Sequence, residues 1–245
     1  MTLLLAALLL QADPNLDAVR KALQKTAEES YAYQVKGRFE RVGEFVPPGL
    51  LTSRMKQYQS VRSGEKLLVK GPEGLWLTAE ERLGEKVERP DPDAADMVRT
   101  LQGADAPHRI LETMMLDVSK GSDPDDRDVN DRKCRRYVLY FRPEALKASL
   151  EQAMEKAIEK RTMSRPDEIR WSSSAKGSLR IYLDRADGRL VKAVDERSVK
   201  IAYKVPDAPP EVKSYRTDME FELSDWGKAK AELPDEIRTR LELGK

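Results

Sequence analysis

The chain has 245 residues, 40% hydrophobic and 36% charged, and its 44 basic and 43 acidic side chains leave a formal net charge of +1. That balance, with both signs interspersed, excludes a nucleic-acid partner, which needs a net basic footprint to displace counterions from phosphates. One cysteine, Cys134, cannot close an internal disulfide, and one histidine, His108, leaves too few ligands for a structural zinc site. No metal or cofactor is expected.

Residues Thr2 to Leu10 are almost entirely Leu and Ala, followed by the polar turn Gln11-Ala12-Asp13-Pro14. This run is too short to span a bilayer, which takes about 20 apolar residues. It has the length of the apolar region of a signal peptide, with Ala12 as the small residue before cleavage, although no Lys or Arg precedes it. The expectation is a signal peptide over 1–12 and one exported domain, periplasmic or secreted, over 13–245. No other segment approaches transmembrane length.

Leu16, Val19, Leu23 and Ala27 recur at helical spacing, so Leu16 to Ser30 is an amphipathic helix that Asn15 is placed to cap. From Tyr31 the period falls to two. Tyr33, Val35, Gly37 and Phe39 alternate with polar residues as a half-buried strand, broken at Val46-Pro47-Pro48-Gly49. Strand-like runs follow at Arg54 to Val61, Lys66 to Lys70 and Leu75 to Leu77. Turns this tight make antiparallel hairpins, because a parallel crossover needs roughly a dozen residues. After a Pro/Asp loop at Pro90 to Asp93, two short helices are expected, at Ala94 to Leu101 and Pro107 to Met115.

The acidic stretch Gly121 to Asp131 reads as a loop. Its Asp123-Pro124-Asp125-Asp126 core lacks the glycine and closing glutamate of a calcium-binding hand. Arg135 to Phe141 is a strand, and Pro143 opens a surface helix to about Arg161 with Leu146, Leu150, Met154, Ala157 and Ile158 on one face. Leu179, Ile181 and Leu183 then alternate, Asp187-Gly188 marks a hairpin, and Leu190 to Val194 returns. Val199, Ile201, Tyr203 and Val205 alternate again, as do Tyr215, Thr217, Met219, Phe221 and Leu223; Pro234 to Leu243 closes the chain as a helix. The fold class is therefore a single α+β domain built on a strongly curved antiparallel sheet, because a large twisted sheet does not stay flat.

Catalytic chemistry has little to stand on. His108 stands at a helix start, where a surface or capping role is expected, and no partner is nominated as nucleophile or acid. Cys134 lies among Arg132, Lys133, Arg135 and Arg136; neighbouring cations lower a thiol's pKa, but in an alternating strand they are simply its exposed face. Ser172-Ser173-Ser174 lacks a Gly-x-Ser-x-Gly frame, and phosphate-binding glycine loops and zinc-protease motifs are missing from the sequence. Trp76, Trp171 and Trp226, like Met55, Met114, Met115 and Met219, read as packing residues before they read as a ligand platform. No catalytic residue is assigned.

Two segments resemble a known family. They are the hairpin Ile181-Tyr182-Leu183-Asp184-Arg185-Ala186-Asp187-Gly188-Arg189-Leu190-Val191-Lys192 and the terminal strand Phe221-Glu222-Leu223-Ser224-Asp225-Trp226-Gly227-Lys228, with Leu233-Pro234 beyond it. Together with a leading helix that runs straight into a strand, and Trp76 in an early hairpin, they look like the LolA-like superfamily of cell-envelope proteins, which includes LppX-type lipoproteins. The resemblance implies a half-open barrel whose concave face is closed by helices and whose hollow binds acyl chains of lipids or lipoproteins. The sequence departs from the family in having no lipobox cysteine and in carrying the charged helix that starts at Pro143.

The implied function is that of a non-enzymatic exported carrier, its partner a lipid or an acylated protein. From the alternating strands, Val35, Phe39, Leu67, Val69, Ile181, Leu183, Met219 and Phe221 are the residues expected to line such a hollow. The alternative is an envelope scaffold or adaptor in which these side chains fill the core and a protein partner binds outside.

Overall fold

The computed structural model describes residues 13–84, 93–159, 166, 168–171, 175–204, 209 and 211–243. The apolar run over 1–12 and Ser172 to Ser174 therefore lie outside the described residues, as does Val205. In chain order the elements are α1 (Pro14–Glu28), β1 (Tyr31–Lys36), β2 (Arg41–Val46), β3 (Leu50–Met55), β4 (Tyr58–Ser63), β5 (Lys66–Lys70) and β6 (Trp76–Leu77). Next come α2 (Ala79–Gly84), α3 (Ala94–Gln102), α4 (Pro107–Met115), β7 (Val118–Gly121), β8 (Asp125–Val129) and β9 (Arg132–Phe141). The chain ends with α5 (Pro143–Glu159), β10 (Glu168–Trp171), β11 (Lys176–Asp184), β12 (Leu190–Lys204), β13 (Glu211–Ser224) and α6 (Asp235–Arg240).

All the strands join one antiparallel sheet in the order β6-β5-β4-β3-β2-β1-β13-β12-β11-β9-β7, with β8 beside the first half of β9 and β10 beside the far end of β12. The end strands do not meet, so the sheet is open. Strand alternation puts one set of side chains under α1, α4 and α5, where Val19, Leu23, Leu111, Leu146 and Met154 interlock with Tyr31, Val35, Phe221, Ile181 and Leu139. Each large apolar side chain buried there contributes about 2 kcal/mol. A second cluster forms beneath α2 and α3, where Met97, Val98 and Leu101 cover Met55, Tyr58 and Val69. On the reverse face, Ile237 and Leu241 pack on Val61 and Leu68, so the closing helix sits behind the sheet while the other five lie in front.

Local chemistry accounts for where the elements begin. Asp13, rather than Asn15, caps α1: its carboxylate accepts the Asn15 backbone N–H at 2.9 Å and the Gly121 N–H at 2.8 Å. The Gly121 bond is also the largest cause holding the Asp13 carboxyl below its usual range. Pro14 takes the first helical turn, where its missing donor costs nothing.

Three expected boundaries move. The run from Tyr33 to Phe39 stops at Lys36, since Gly37 to Glu40 turn the chain into β2, and Phe39 lies in that turn. The run from Arg54 to Val61 is two strands, joined at Lys56, whose φ of +48° places a lysine in the left-handed region. The acidic loop holds a strand, β8, which pairs with β9 through a turn at Asn130 and Asp131, both left-handed at φ +50° and +61°. Two of its acids face the basic strand, where both Asp125 oxygens accept from Arg136 at 2.7 Å and Asp128 accepts from Lys133 at 2.7 Å, and Asp126 accepts at 2.8 Å from Arg185 in the turn after β11. Opposite charge across the ladder stabilises a segment that has almost no apolar residue of its own.

Candidate functional site

The helix-covered face is a lattice of rows that run across the strands. One row is Val35, Phe221, Ala193, Ile181 and Tyr137, each paired with the next across β1, β13, β12, β11 and β9. Every side chain in it is buried. Below it runs Met219, Asp195, Leu179 and Leu139, and below that Thr217, Arg197 and Gly177. Gly177 is needed for close approach, since a Cβ there would come within 2.9 Å of the Phe141 ring and 3.3 Å of Leu146 on α5.

Of the eight residues expected to line a hollow, Val35, Ile181, Leu183, Met219 and Phe221 share this face, four of them buried and Met219 half-buried at its margin. Val69 belongs to the second cluster, with Leu67 and Phe39 packed on its edge. The structure thus splits the eight between two clusters. Phe39 and Leu67 border clefts of about 480 and 530 Å³. The other six border none of the five clefts described for this chain, which span 480–700 Å³.

Asp195 and Arg197 were not singled out in the sequence. Asp195 is fully buried in the middle of the second row, and its Oδ1 accepts the Arg197 Nε–H at 2.8 Å. Its Oδ2 has no hydrogen-bond partner among the described residues. Burial pushes the carboxyl above its usual range, against the pull of Arg197. The Arg197 guanidinium lies 4.3 Å from the centroid of the Phe141 ring. The signal was available: continuing the Ala193, Val199, Ile201 alternation places Asp195 and Arg197 on the apolar side.

His108 is not on the surface. It is buried between Phe45, with ring centroids 4.7 Å apart, and Tyr31, whose Oη lies 2.6 Å from Nδ1. Desolvation, with the Arg109 charge behind it, depresses the imidazole pKa to about 4. Desolvation also raises the Tyr31 phenol. The pair is a neutral hydrogen bond inside an aromatic cluster completed by Trp226, 5.1 Å from Tyr31. Cys134 is buried as well, and desolvation raises its thiol, so the flanking cations on β9 do not activate it. Among the described residues no group of three or more His, Cys, Asp or Glu side chains is placed to hold a metal ion. No described helix is long and apolar enough to cross a membrane.

No protein-family model matches the chain, and no curated protein matches it. Solved structures do. The lipoprotein LppX of Mycobacterium tuberculosis aligns over 89% of this chain and 98% of its own, at 9% identity and a TM-score of 0.48. LprF of Mycobacterium bovis aligns over 90% and 96%, at 9% identity and a TM-score of 0.44. A LolA superfamily protein from Nitrosomonas europaea aligns over 91% and 95%, at 11% identity and a TM-score of 0.24.

Proposed function

We propose that the protein is a non-enzymatic carrier or binding protein for acyl chains of lipids or lipoproteins, working outside the cytoplasm. One observation carries the reading. A continuous apolar face crosses five strands, from Val35 to Tyr137, and over β11 and β12 it is roofed by α5, a helix of 17 residues that buries only Leu146 and Met154. Displacing this roof would uncover Leu146, Met154 and the half-buried Leu150, and an acyl chain that replaced it would gain about 25 cal/mol per Å² of apolar surface removed from water, before the costs of binding. Met219, half-buried beside Asp195, is the sequence-expected lining residue on this face that is not fully buried, and so the one a polar substitution perturbs at least cost to folding.

The test is native mass spectrometry of protein purified without detergent, with extraction of whatever lipid it holds, followed by titration with a fluorescent fatty-acyl probe. Co-purified lipid, and a probe affinity that falls in Met219→Glu while the melting temperature holds, support the reading. A lipid-free protein that ignores the probe overturns it.

A second reading is an envelope scaffold that binds a protein partner through its outer surface. It is favoured by the burial of Val35, Val69, Ile181, Leu183 and Phe221 against their own neighbours, which leaves the described core filled.

A further inference from the structure

At the end of the sheet where the β2–β3 and β4–β5 turns lie, a cleft of about 700 Å³ opens between those turns, the start of α4 and the segment around α6. Its volume falls within the roughly 300–1,000 Å³ typical of small-molecule sites. Val46, Pro47, Leu50 and Leu243 give it apolar walls, and its charged lining consists of Arg109, Lys230 and Arg238.

That one-sided charge is unlike the other described clefts. The other four clefts each include at least one Asp or Glu. On those clefts Arg197 has Asp195 at 2.8 Å, Arg216 has Asp218 at 2.9 Å and Arg38 has Asp96 at 2.8 Å. Lys230 and Arg238 have no carboxylate partner among the described residues, and Arg109 reaches only Asp105, at 3.5 Å. The cleft thus sets two cations without a described carboxylate partner, and a weakly paired third, against an apolar wall. A guanidinium presents a fork that matches a carboxylate or phosphate, and an ammonium adds a mobile point charge.

We propose that this cleft binds a single-chain anionic amphiphile, with its headgroup held between Arg238, Lys230 and Arg109 and its alkyl chain laid against Val46, Leu50 and Leu243. The site is separate from the acyl-chain face, so it does not depend on the carrier reading.

The experiment titrates the full chain with laurate and, separately, with dodecanol, followed by methyl NMR with leucine, valine and isoleucine labels. Laurate is expected to shift the Val46, Leu50 and Leu243 methyls saturably. It should bind at least about ten-fold tighter than dodecanol, and Lys230→Ala and Arg238→Ala should each weaken it about ten-fold, one charge-assisted hydrogen bond apiece. Both residues lie at the surface, and an unchanged melting temperature confirms that each variant is folded. Equal affinity for laurate and dodecanol, or laurate affinity untouched in both variants, overturns the proposal. So do laurate shifts confined to Leu179 and Ile181, a result that supports the carrier reading while refuting this one.

Discussion

The buried histidine ties stability to pH with a sign and a window. His108 has its imidazole pKa depressed to about 4, against 6.5 in an exposed histidine. A base whose folded pKa is depressed is protonated in the unfolded state before the folded one. Stability is therefore intact above about pH 6.5 and is lost as pH falls toward 4, where the loss levels off. With these two values, the linkage relation removes roughly 2 kcal/mol between pH 7 and pH 5. The perturbation is His108→Asn, whose side chain still offers Tyr31 a hydrogen-bond partner but does not titrate. Urea unfolding followed by tryptophan fluorescence suits the assay, because Trp226 packs directly on Tyr31. Wild type should lose roughly 2 kcal/mol more than the variant between pH 7 and pH 5, since other titrating groups contribute alike to both proteins and cancel. As His108 is the single histidine of the chain, its ring resonance also reads the folded pKa directly. Equal pH dependence in the two proteins, or a ring that titrates near 6.5, refutes the reasoning.

Other expectations follow from the same packing. Asp195→Asn keeps an acceptor for Arg197 and removes a carboxylate whose Oδ2 is unpaired, so it should raise the melting temperature at pH 7; Arg197→Met, which strands the buried charge, should cost about 3 kcal/mol or more by chemical denaturation. Gly43→Ala should cost about 3 kcal/mol, because its Cβ would stand 2.0 Å from the Thr52 carbonyl oxygen and 2.7 Å from the Tyr33 hydroxyl. Glu220 pays for its burial but is held at about pKa 2 by the ammonium groups of Lys192 and Lys36. Its contribution is present above pH 4.5 and fades as pH falls toward 2, so Glu220→Gln should cost about 1 kcal/mol at pH 7 and nothing at pH 2 in paired melts. Phe221→Ala, in the fully buried row, should cost about 3–5 kcal/mol.

Much of the architecture could be read from residue order. The switch from helical spacing at Leu16, Val19 and Leu23 to alternation at Tyr31 locates α1 and β1, and Pro107 to Met115 is a helix at the bounds its sequence implies. What escaped was set by distant partners. Strand β8 has no apolar period, and it exists because Arg135 and Arg136 lie across from Asp126 and Asp125. The β3–β4 turn carries no glycine, since Lys56 takes the left-handed conformation that Gly or Asn would have advertised. His108 was misplaced because a polar residue at a helix start is ordinarily solvated, whereas here Tyr31, 77 residues away, supplies its hydrogen bond. For the candidate site, alternation correctly placed Val35, Ile181 and Phe221 on one side. It was silent on their distance from Val69, which lies under a different pair of helices.

The first strand of the sheet pairs with the last. On one flank β1 to β6 lie in sequence order, on the other the strands ascend from β7 to β13, and the two meet along the β1–β13 ladder, from Ala32 opposite Ser224 to Lys36 opposite Glu220. A chain that emerges from its N-terminus can complete the first meander and still present one bare edge of β1, from Ala32 to Lys36, until residues 211–224 arrive. An edge of that kind templates the strands of neighbouring chains. Synthesis that stalls before β13 would therefore leave this edge open to the strands of neighbouring chains, and the last strand to form is the one that covers it.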